Sequence, residues 1–347
     1  MADQAPRTTE SADDYFILDI EAHIMPEDYR KYVNYFPDVK CLDYAHVMAR
    51  KTKWTNPVTG EEGGHPGMDW SAENLIAAMD GAGVDMASIL RESFIDATKN
   101  SAPFSTNYHV YEAMEKYPDR FIGQSNVGPH MKRGMDNAIW ELEHLHTQMG
   151  FKCTKVYSPE DGYLNDPQMF PFYAKCEELQ IPVCFHTGFT VRIGMTKYCE
   201  PILLDDVCTA FPDLKVVAYH FGFPAQQELY MLAYKHPNLY IGMSSILGLM
   251  QWGPVKLRHF IGEIFAYGVG DRLIWGTDWP GTGHKQMVQA ILDLEMPKDL
   301  SRDWGYPPIT REDKAAMLGG TAAKVLGIDP EAGKLPHKRR KLQAEVA

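Results

Sequence analysis

Short apolar runs and longer amphipathic stretches alternate through nearly the whole of this chain, and few folds accept that rhythm. The runs, rich in β-branched and aromatic residues, fall at residues 16–21, 86–90, 120–126, 151–157, 181–186, 215–220, 238–243 and 272–278. Between them lie helical patterns such as 71–82, 107–116, 135–149, 167–179 and 226–235. Ser71 and Asp166 stand where N-caps are expected, and Ala82-Gly83-Val84 and Tyr117-Pro118-Asp119-Arg120 read as stop and turn signals. Alternating strand–helix units build a parallel sheet. Eight such units close into a (β/α)8 TIM barrel more readily than they stay open. An open doubly wound sheet would carry a Gly-rich phosphate loop after an early strand, and no G-x-G-x-x-G or Walker A pattern occurs. The expected fold is therefore α/β, a (β/α)8 TIM barrel, with a long inserted loop after its first strand.

Composition narrows the partners. The 347 residues carry 34 Lys+Arg against 46 Asp+Glu, a formal charge of -12. With no basic stripe to offset that charge, no nucleic acid is expected as a partner. Apolar runs such as 181–185 fall far short of the roughly 18 residues of a membrane span, so no membrane partner is expected either. Residues 1–14 are polar and acidic, without the apolar core of a signal peptide, and read as a disordered leader. Residues 15–328 read as the barrel, and 329–347 as a flexible basic tail around Lys338-Arg339-Arg340-Lys341. The cysteines, Cys41, Cys153, Cys176, Cys184, Cys199 and Cys208, make no C-x-x-C pair. They read as reduced, buried thiols of a cytoplasmic protein.

One segment breaks the alternation. Residues 24–69 separate the first strand from the first convincing helix and hold Trp54, Pro57, Gly63-Gly64-His65-Pro66-Gly67 and Trp70. Connections this long are usually functional or contain small elements of their own. On a barrel this one would sit over the catalytic face, as a substrate lid.

The polar residues of interest gather at the C-terminal ends of the strands, where barrels of this kind build their active sites. The first strand ends Asp19-Ile20-Glu21-Ala22-His23, and alternation puts Glu21 and His23 on one side. Strand five ends at His186, strand six at His220 and strand eight at Gly276-Thr277-Asp278-Trp279-Pro280. A mixed imidazole and carboxylate set suits Zn, Mn or Fe, and such a set with an open position makes a Lewis-acid site. Strand four ends Lys155-Val156-Tyr157, which places Lys155 and Tyr157 on one side, toward substrate if that side is the interior. Arg91 after strand two and Arg192 after His186 are candidate grips for an anionic substrate, because a planar guanidinium pairs well with a carboxylate. Asn126, ending strand three, is a weaker pocket candidate. His144 and His146 flank Leu145 on a helix and read as surface residues.

Glu21-x-His23, His186, His220 and Asp278, in this order and spacing, resemble the amidohydrolase superfamily. The branch they look most like is the aminocarboxymuconate-semialdehyde and hydroxybenzoate decarboxylases, the E-x-H form resembling the γ-resorcylate decarboxylases. The resemblance runs from Tyr15 to Gly327. It implies that Glu21, His23, His186 and Asp278 are metal ligands. It also implies that His220 stands beside the metal and acts, with Asp278, on substrate or bound water. In binuclear members a lysine at the position of Lys155 can be carboxylated and bridge two metals. The strand-eight motif departs from those decarboxylases, lacking the Phe and Glu expected after Pro280, and Gly-Thr-Asp-Trp-Pro also resembles lactonases and other hydrolases.

The first functional reading is a metal-dependent decarboxylase of a small aromatic or unsaturated carboxylic acid, using a divalent ion (Zn, Mn or Fe; one, with two as the variant) and no organic cofactor. The alternative is a metal-dependent hydrolase of an ester, lactone, thioester or amide. A di-metal oxygenase on the same barrel comes third, and a metal-free scaffold last, since all five site positions carry ligand-type side chains. The partner expected is a small anionic or aromatic substrate, and the family implies a homodimer or homotetramer.

Overall fold

The computed structural model describes residues 10–25, 70–92, 105–190, 194–245 and 254–339, with the backbone of four short strands between 53 and 103. In chain order the strands are β1 (Leu18–Ile24), β2 (Lys53–Thr55), β3 (Glu62–Gly64), β4 (Met86–Arg91), β5 (Ser93–Ile95), β6 (Ser101–Pro103), β7 (Phe121–Ser125), β8 (Cys153–Val156), β9 (Val183–Phe185), β10 (Val216–Ala218), β11 (Leu239–Gly242) and β12 (Leu273–Ile274). One sheet runs β1-β4-β7-β8-β9-β10-β11-β12, and its strand pairings are parallel. The helices that follow the barrel strands are α1 (Ala72–Asp80), α2 (Asn107–Lys116), α3 (Met135–Gln148), α4 (Phe170–Glu178), α5 (Leu204–Ala210), α6 (Gln226–Lys235), α7 (Pro254–Ala266) and α8 (His284–Leu292). The result is the expected TIM barrel.

The last barrel strand is short, and the seam closes through the backbone just beyond it. Ile20 N–H donates to Trp275 O at 3.3 Å, Asp278 N–H to Glu21 O at 2.9 Å and His23 N–H to Trp279 O at 2.8 Å. These bonds tie the two ends of the sheet together at the level of the candidate site.

Strand β1 is buried along its whole length, yet it is not a simple alternating strand. Its pairing with β4 shifts register between Asp19 and Ala22. Leu18, before the shift, and Ile20, within it, belong to the barrel interior with Cys153, Cys184, Val217, Tyr219 and Ile274. After it, Ala22 and Ile24 pack in the layer between barrel and helices. A bulge inserts one residue and re-aims the side chains beyond it. Here it turns Glu21 and His23 toward the mouth while leaving Asp19 on the other face.

Within the described residues, parts of the expected loose leader and tail are bonded to the barrel. Glu10 Oε2 accepts from the buried Lys314 Nζ at 2.9 Å. Asp85 accepts from Ile17 N–H, Leu335 N–H and Lys338 Nζ, each at 2.8 Å. Lys338, first residue of the basic run, is fully buried and also donates to Tyr15 O at 2.9 Å and Gly83 O at 2.6 Å. A lysine can be buried where a carboxylate and carbonyls take up its three protons, so this part of the tail is a clasp across the barrel's lower face. Of the 24–69 insertion, the structure describes Ile24, which still belongs to β1, Met25, and an antiparallel β2–β3 hairpin. The lid reading otherwise lies outside the described residues, as do His65, Cys41 and Arg192. The five described cysteines are free and buried. Among the described residues, no helix is long and apolar enough to cross a membrane.

His146 is not a surface residue. Its Nε2 lies 3.0 Å from the buried Ser125 Oγ, and burial pushes the imidazole down to about 4. The folded state then binds its proton less readily than the unfolded chain, whose histidine titrates near 6.5, so stability is lost as pH falls from about 6.5 toward about 4. His146→Gln is expected to remove about 2–3 kcal/mol of that acid-induced loss. Denaturant unfolding at pH 7 and pH 4 measures it; an unchanged pH dependence would contradict the assignment.

Candidate metal centre

Glu21, His23 and Asp278 meet at the mouth of the barrel, each offering a ligand atom within 4.8 Å of the others. His23 Nε2 lies 3.8 Å from Glu21 Oε1 and 3.4 Å from Asp278 Oδ1. Two strands bring them together: the bulged end of β1 carries Glu21 and His23, and Asp278 follows β12. Asp278 has φ 55°, in the left-handed region. A non-glycine residue pays on the order of 1–3 kcal/mol for such a conformation, which persists only where surrounding bonds fix it. The bond from Asp278 N–H to Glu21 O and that from Gly281 N–H to Asp278 O, 2.6 Å, do so here.

Glu21 is fully buried and its carboxylate is fully engaged. Lys155 Nζ, from β8, donates to Oε1, and Ser244, after β11, donates its hydroxyl to Oε2 at 2.6 Å. Burial alone would raise this carboxyl, but the Lys155 ammonium first, and His23, outweigh it and hold it well below the usual carboxylate range. Lys155 is likewise kept charged: burial opposes the ammonium, and Glu21 and Asp278 more than compensate. Its Nζ is also 3.3 Å from His23 Nε2. For His23 burial works against the cation, while Glu92, Asp278 and Glu21 favour it and raise the imidazole well above its ordinary value.

His23 is oriented from behind. Its Nδ1 lies 2.8 Å from Glu92 Oε2, which leaves Nε2 facing Glu21 and Asp278. A carboxylate behind a ligating histidine is the usual way of fixing its ring and tautomer. Glu92 sits in the residue after β4 and is almost fully buried. An acidic residue at a barrel strand's end was the available signal for it in the sequence.

His186 and His220 form the adjoining half of the site, and their protons can be placed from the network. Ser244 Oγ already donates to Glu21 and therefore accepts at its other contact, 3.2 Å from His220 Nδ1. Ser244 O, a carbonyl 3.3 Å from the same nitrogen, can only accept. The proton of His220 thus sits on Nδ1, and its Nε2 accepts from His186 Nδ1 at 3.0 Å. That leaves the lone pair of His186 on Nε2, a buried atom without a hydrogen-bond partner. Burial above all, with the Lys155 ammonium beside it, holds His186 well below its ordinary value, so the ring stays neutral. His220 adopts φ 62° and Phe221 φ 55° just past β10. Gly188, two residues after His186, has φ 77°, and a Cβ there would lie 2.2 Å from Phe223 O, so only glycine lets these loops close together. His186 itself is not grouped with the triad but is joined to that half of the site through His220.

The other expected site residues divide. Tyr157 lines the wall: its hydroxyl is 2.7 Å from Thr190 Oγ1 and its ring stands edge-on to His186 at 5.1 Å. Arg91 is occupied elsewhere. Its Nε donates to Asn126 O at 2.6 Å, and its Nη2 to Gly128 O at 2.8 Å and Asn126 Oδ1 at 3.2 Å. The guanidinium and Asn126 fasten the loop after β7, a use that the apolar spacing of the sequence could not distinguish from an anion grip.

A buried set of imidazole nitrogens and carboxylate oxygens, with one oriented histidine and one unpartnered nitrogen, is chemically suited to a divalent transition ion. Residues 18–328 match the amidohydrolase family model, and the chain belongs to that family. It is 26% identical over 257 residues to a 2-amino-3-carboxymuconate-6-semialdehyde decarboxylase of Dictyostelium discoideum, a match spanning 65% of this chain and 66% of that protein. Among solved structures it is similar to a 5-carboxyvanillate decarboxylase of Novosphingobium aromaticivorans complexed with manganese, with TM-score 0.65 and 16% identity over 94% of this chain and 100% of that one. It is also similar to a chain from Acinetobacter baumannii described as a probable 2-pyrone-4,6-dicarboxylic acid hydrolase with citric acid bound, with TM-score 0.52 and 18% identity over 90% of this chain and 99% of that one. At these identities the two structures speak for the fold.

Ser244→Ala removes the hydroxyl that Glu21 shares with His220. Losing one hydrogen bond to a buried charged group costs about 1.5–3 kcal/mol. Chemical denaturation at pH 7 is expected to show a loss of that size, and a change below about 0.5 kcal/mol would mean that Glu21 does not depend on Ser244.

Proposed function

We propose that this chain is a divalent-metal-dependent decarboxylase of a small aromatic or unsaturated carboxylic acid. The convergence of Glu21, His23 and Asp278 on one point carries the reading. Within it, His186 is the fourth ligand, through the Nε2 lone pair that its hydrogen bond to His220 leaves free. The names of the relatives support the reaction: the Dictyostelium and Novosphingobium proteins are both decarboxylases of unsaturated or aromatic acids. The same reading takes one ion per chain, of Zn, Mn or Fe, a soluble homo-oligomer and the cytoplasm.

A divalent ion in this site supplies Lewis-acid polarisation of the substrate's oxygens. The chain's own residues do the rest. The buried Lys155 ammonium offers a positive charge to the substrate carboxylate, in a site where low dielectric strengthens the attraction. Tyr157 and the wall around it hold a flat substrate against His186. Asp278, with 26% of its side chain exposed, is the most open member of the triad. Reached by solvent, it would take up a proton from water and pass it to the carbon bearing the carboxylate as the bond to carbon dioxide breaks, so the electron pair left on that carbon is taken up at once and Asp278 returns to its carboxylate form. His220, hydrogen-bonded on both sides, is the second proton carrier at the site.

A hydrolase is the second reading, favoured by the Gly-Thr-Asp-Trp-Pro segment and by the Acinetobacter neighbour. There the same residues would manage the proton of an attacking water. The two are separated by assaying purified protein, supplied with Mn or Zn, against hydroxybenzoates and carboxylated methoxyphenols for carbon dioxide release, and against lactones and esters for hydrolysis. Carbon dioxide release that falls at least about a thousandfold in Asp278→Asn, with the circular dichroism unchanged, is the expected outcome. Hydrolysis without decarboxylation, or near-normal turnover in Asp278→Asn, would overturn it.

A further inference from the structure

We infer that Asp19 and His284 form a buried pair that positions the metal triad from behind, an inference resting on the metal reading above. Both side chains are fully buried, with His284 Nε2 3.0 Å from Asp19 Oδ2. Neither belongs to the mouth of the barrel. The bulge in β1 leaves Asp19 on the face opposite Glu21, and His284 opens α8, its ring centroid 6.3 Å from that of Trp275 and 5.1 Å from that of Trp279.

The carboxylate of Asp19 holds three further groups. Oδ1 accepts from Thr277 N–H at 2.9 Å and from Glu21 N–H at 3.1 Å, and Oδ2 accepts from the Thr277 hydroxyl. One side chain therefore fixes the backbone at Glu21 and at the residue preceding Asp278. These are the two carboxylates of the triad, and they stand on the two strands that close the barrel. The left-handed backbone of Asp278 needs such external support. Among the described residues, His284 is the basic side chain within 4 Å of Asp19, and its ring closes off the outer side of a carboxylate whose hydrogen bonds come from Thr277 and Glu21. Ligand atoms must be held to within roughly 0.5 Å of their working geometry. Releasing Thr277 would let Asp278 drift from Glu21 and His23 without any ligand having been changed.

The test is metal affinity, measured by calorimetric titration of the full-length protein with Mn or Zn, alongside the melting temperature of the metal-free form. His284→Phe and Thr277→Val are expected to weaken binding at least tenfold. His284→Gln, which keeps a polar group of similar reach beside Asp19, should recover much of the loss. Lys338→Met breaks a different buried pair on the lower face and serves as the control: it should lower the melting temperature and leave affinity within about twofold, additivity holding for distant sites. Should His284→Phe fail to fold, Thr277→Val, which loses only a hydroxyl, carries the test. Unchanged affinity in the folded variants, with only the melting temperature reduced, would make the pair merely structural and overturn the inference. A wild-type chain that binds no divalent ion would instead overturn the metal reading itself.

Discussion

A carboxylate with no exposure to water stands at the centre of this molecule, and much of the upper barrel is arranged to keep it charged. Glu21 draws Lys155 from β8, Ser244 from beyond β11 and, through Ser244, His220 from beyond β10. Its own carbonyl accepts from Asp278 beyond β12. An unpaired carboxylate in such a place would be too costly to keep ionised. Four strand ends are therefore bound, directly or through Ser244, to one residue, and the geometry of the mouth follows from satisfying it.

That arrangement has visible costs. His220, Phe221, Ser245 and Asp278 all take left-handed backbone conformations near the site, and two further buried carboxylates, Asp19 and Glu92, lie behind the triad. The stabilisation that offsets them comes from elsewhere: the layer of apolar side chains between barrel and helices, and the inner plug of Leu18, Ile20, Val217 and Ile274. At the lower face, Asp85 and Lys338 bind the C-terminal segment to the starts of β1 and β4. The stable end and the reactive end of the barrel are distinct, as the fold permits.

Strand–helix alternation was sufficient to read the barrel and the level of its site from sequence, because strand ends in a barrel converge whatever joins them. The meeting of Glu21, His23 and Asp278 at the mouth was legible in this way. Alternation said nothing of the bulge in β1, so it could not tell that Asp19, two residues from Glu21, turns to the other face. Arg91 shows a related limit: a guanidinium at a strand end can reach inward to a substrate or sideways to the next loop, and here Asn126 and Gly128 take its Nε and Nη2 donors. Ser244 and Glu92 carry no distinctive spacing, and their roles arise from what they touch across the barrel. Lys338 was hidden in a basic run, where charge pattern suggests solvent and gives no sign of a single partner such as Asp85.

The central claim is that Glu21, His23 and Asp278, with His186, make one site for one divalent ion. Elemental analysis of protein purified without chelator tests it most directly. The account predicts about one equivalent of Zn, Mn or Fe per chain, lost in Glu21→Gln and in Asp278→Asn. A metal-free chain that takes up no ion on reconstitution would contradict it. So would two equivalents per chain, which this set of ligands does not accommodate with Lys155 present as an ammonium.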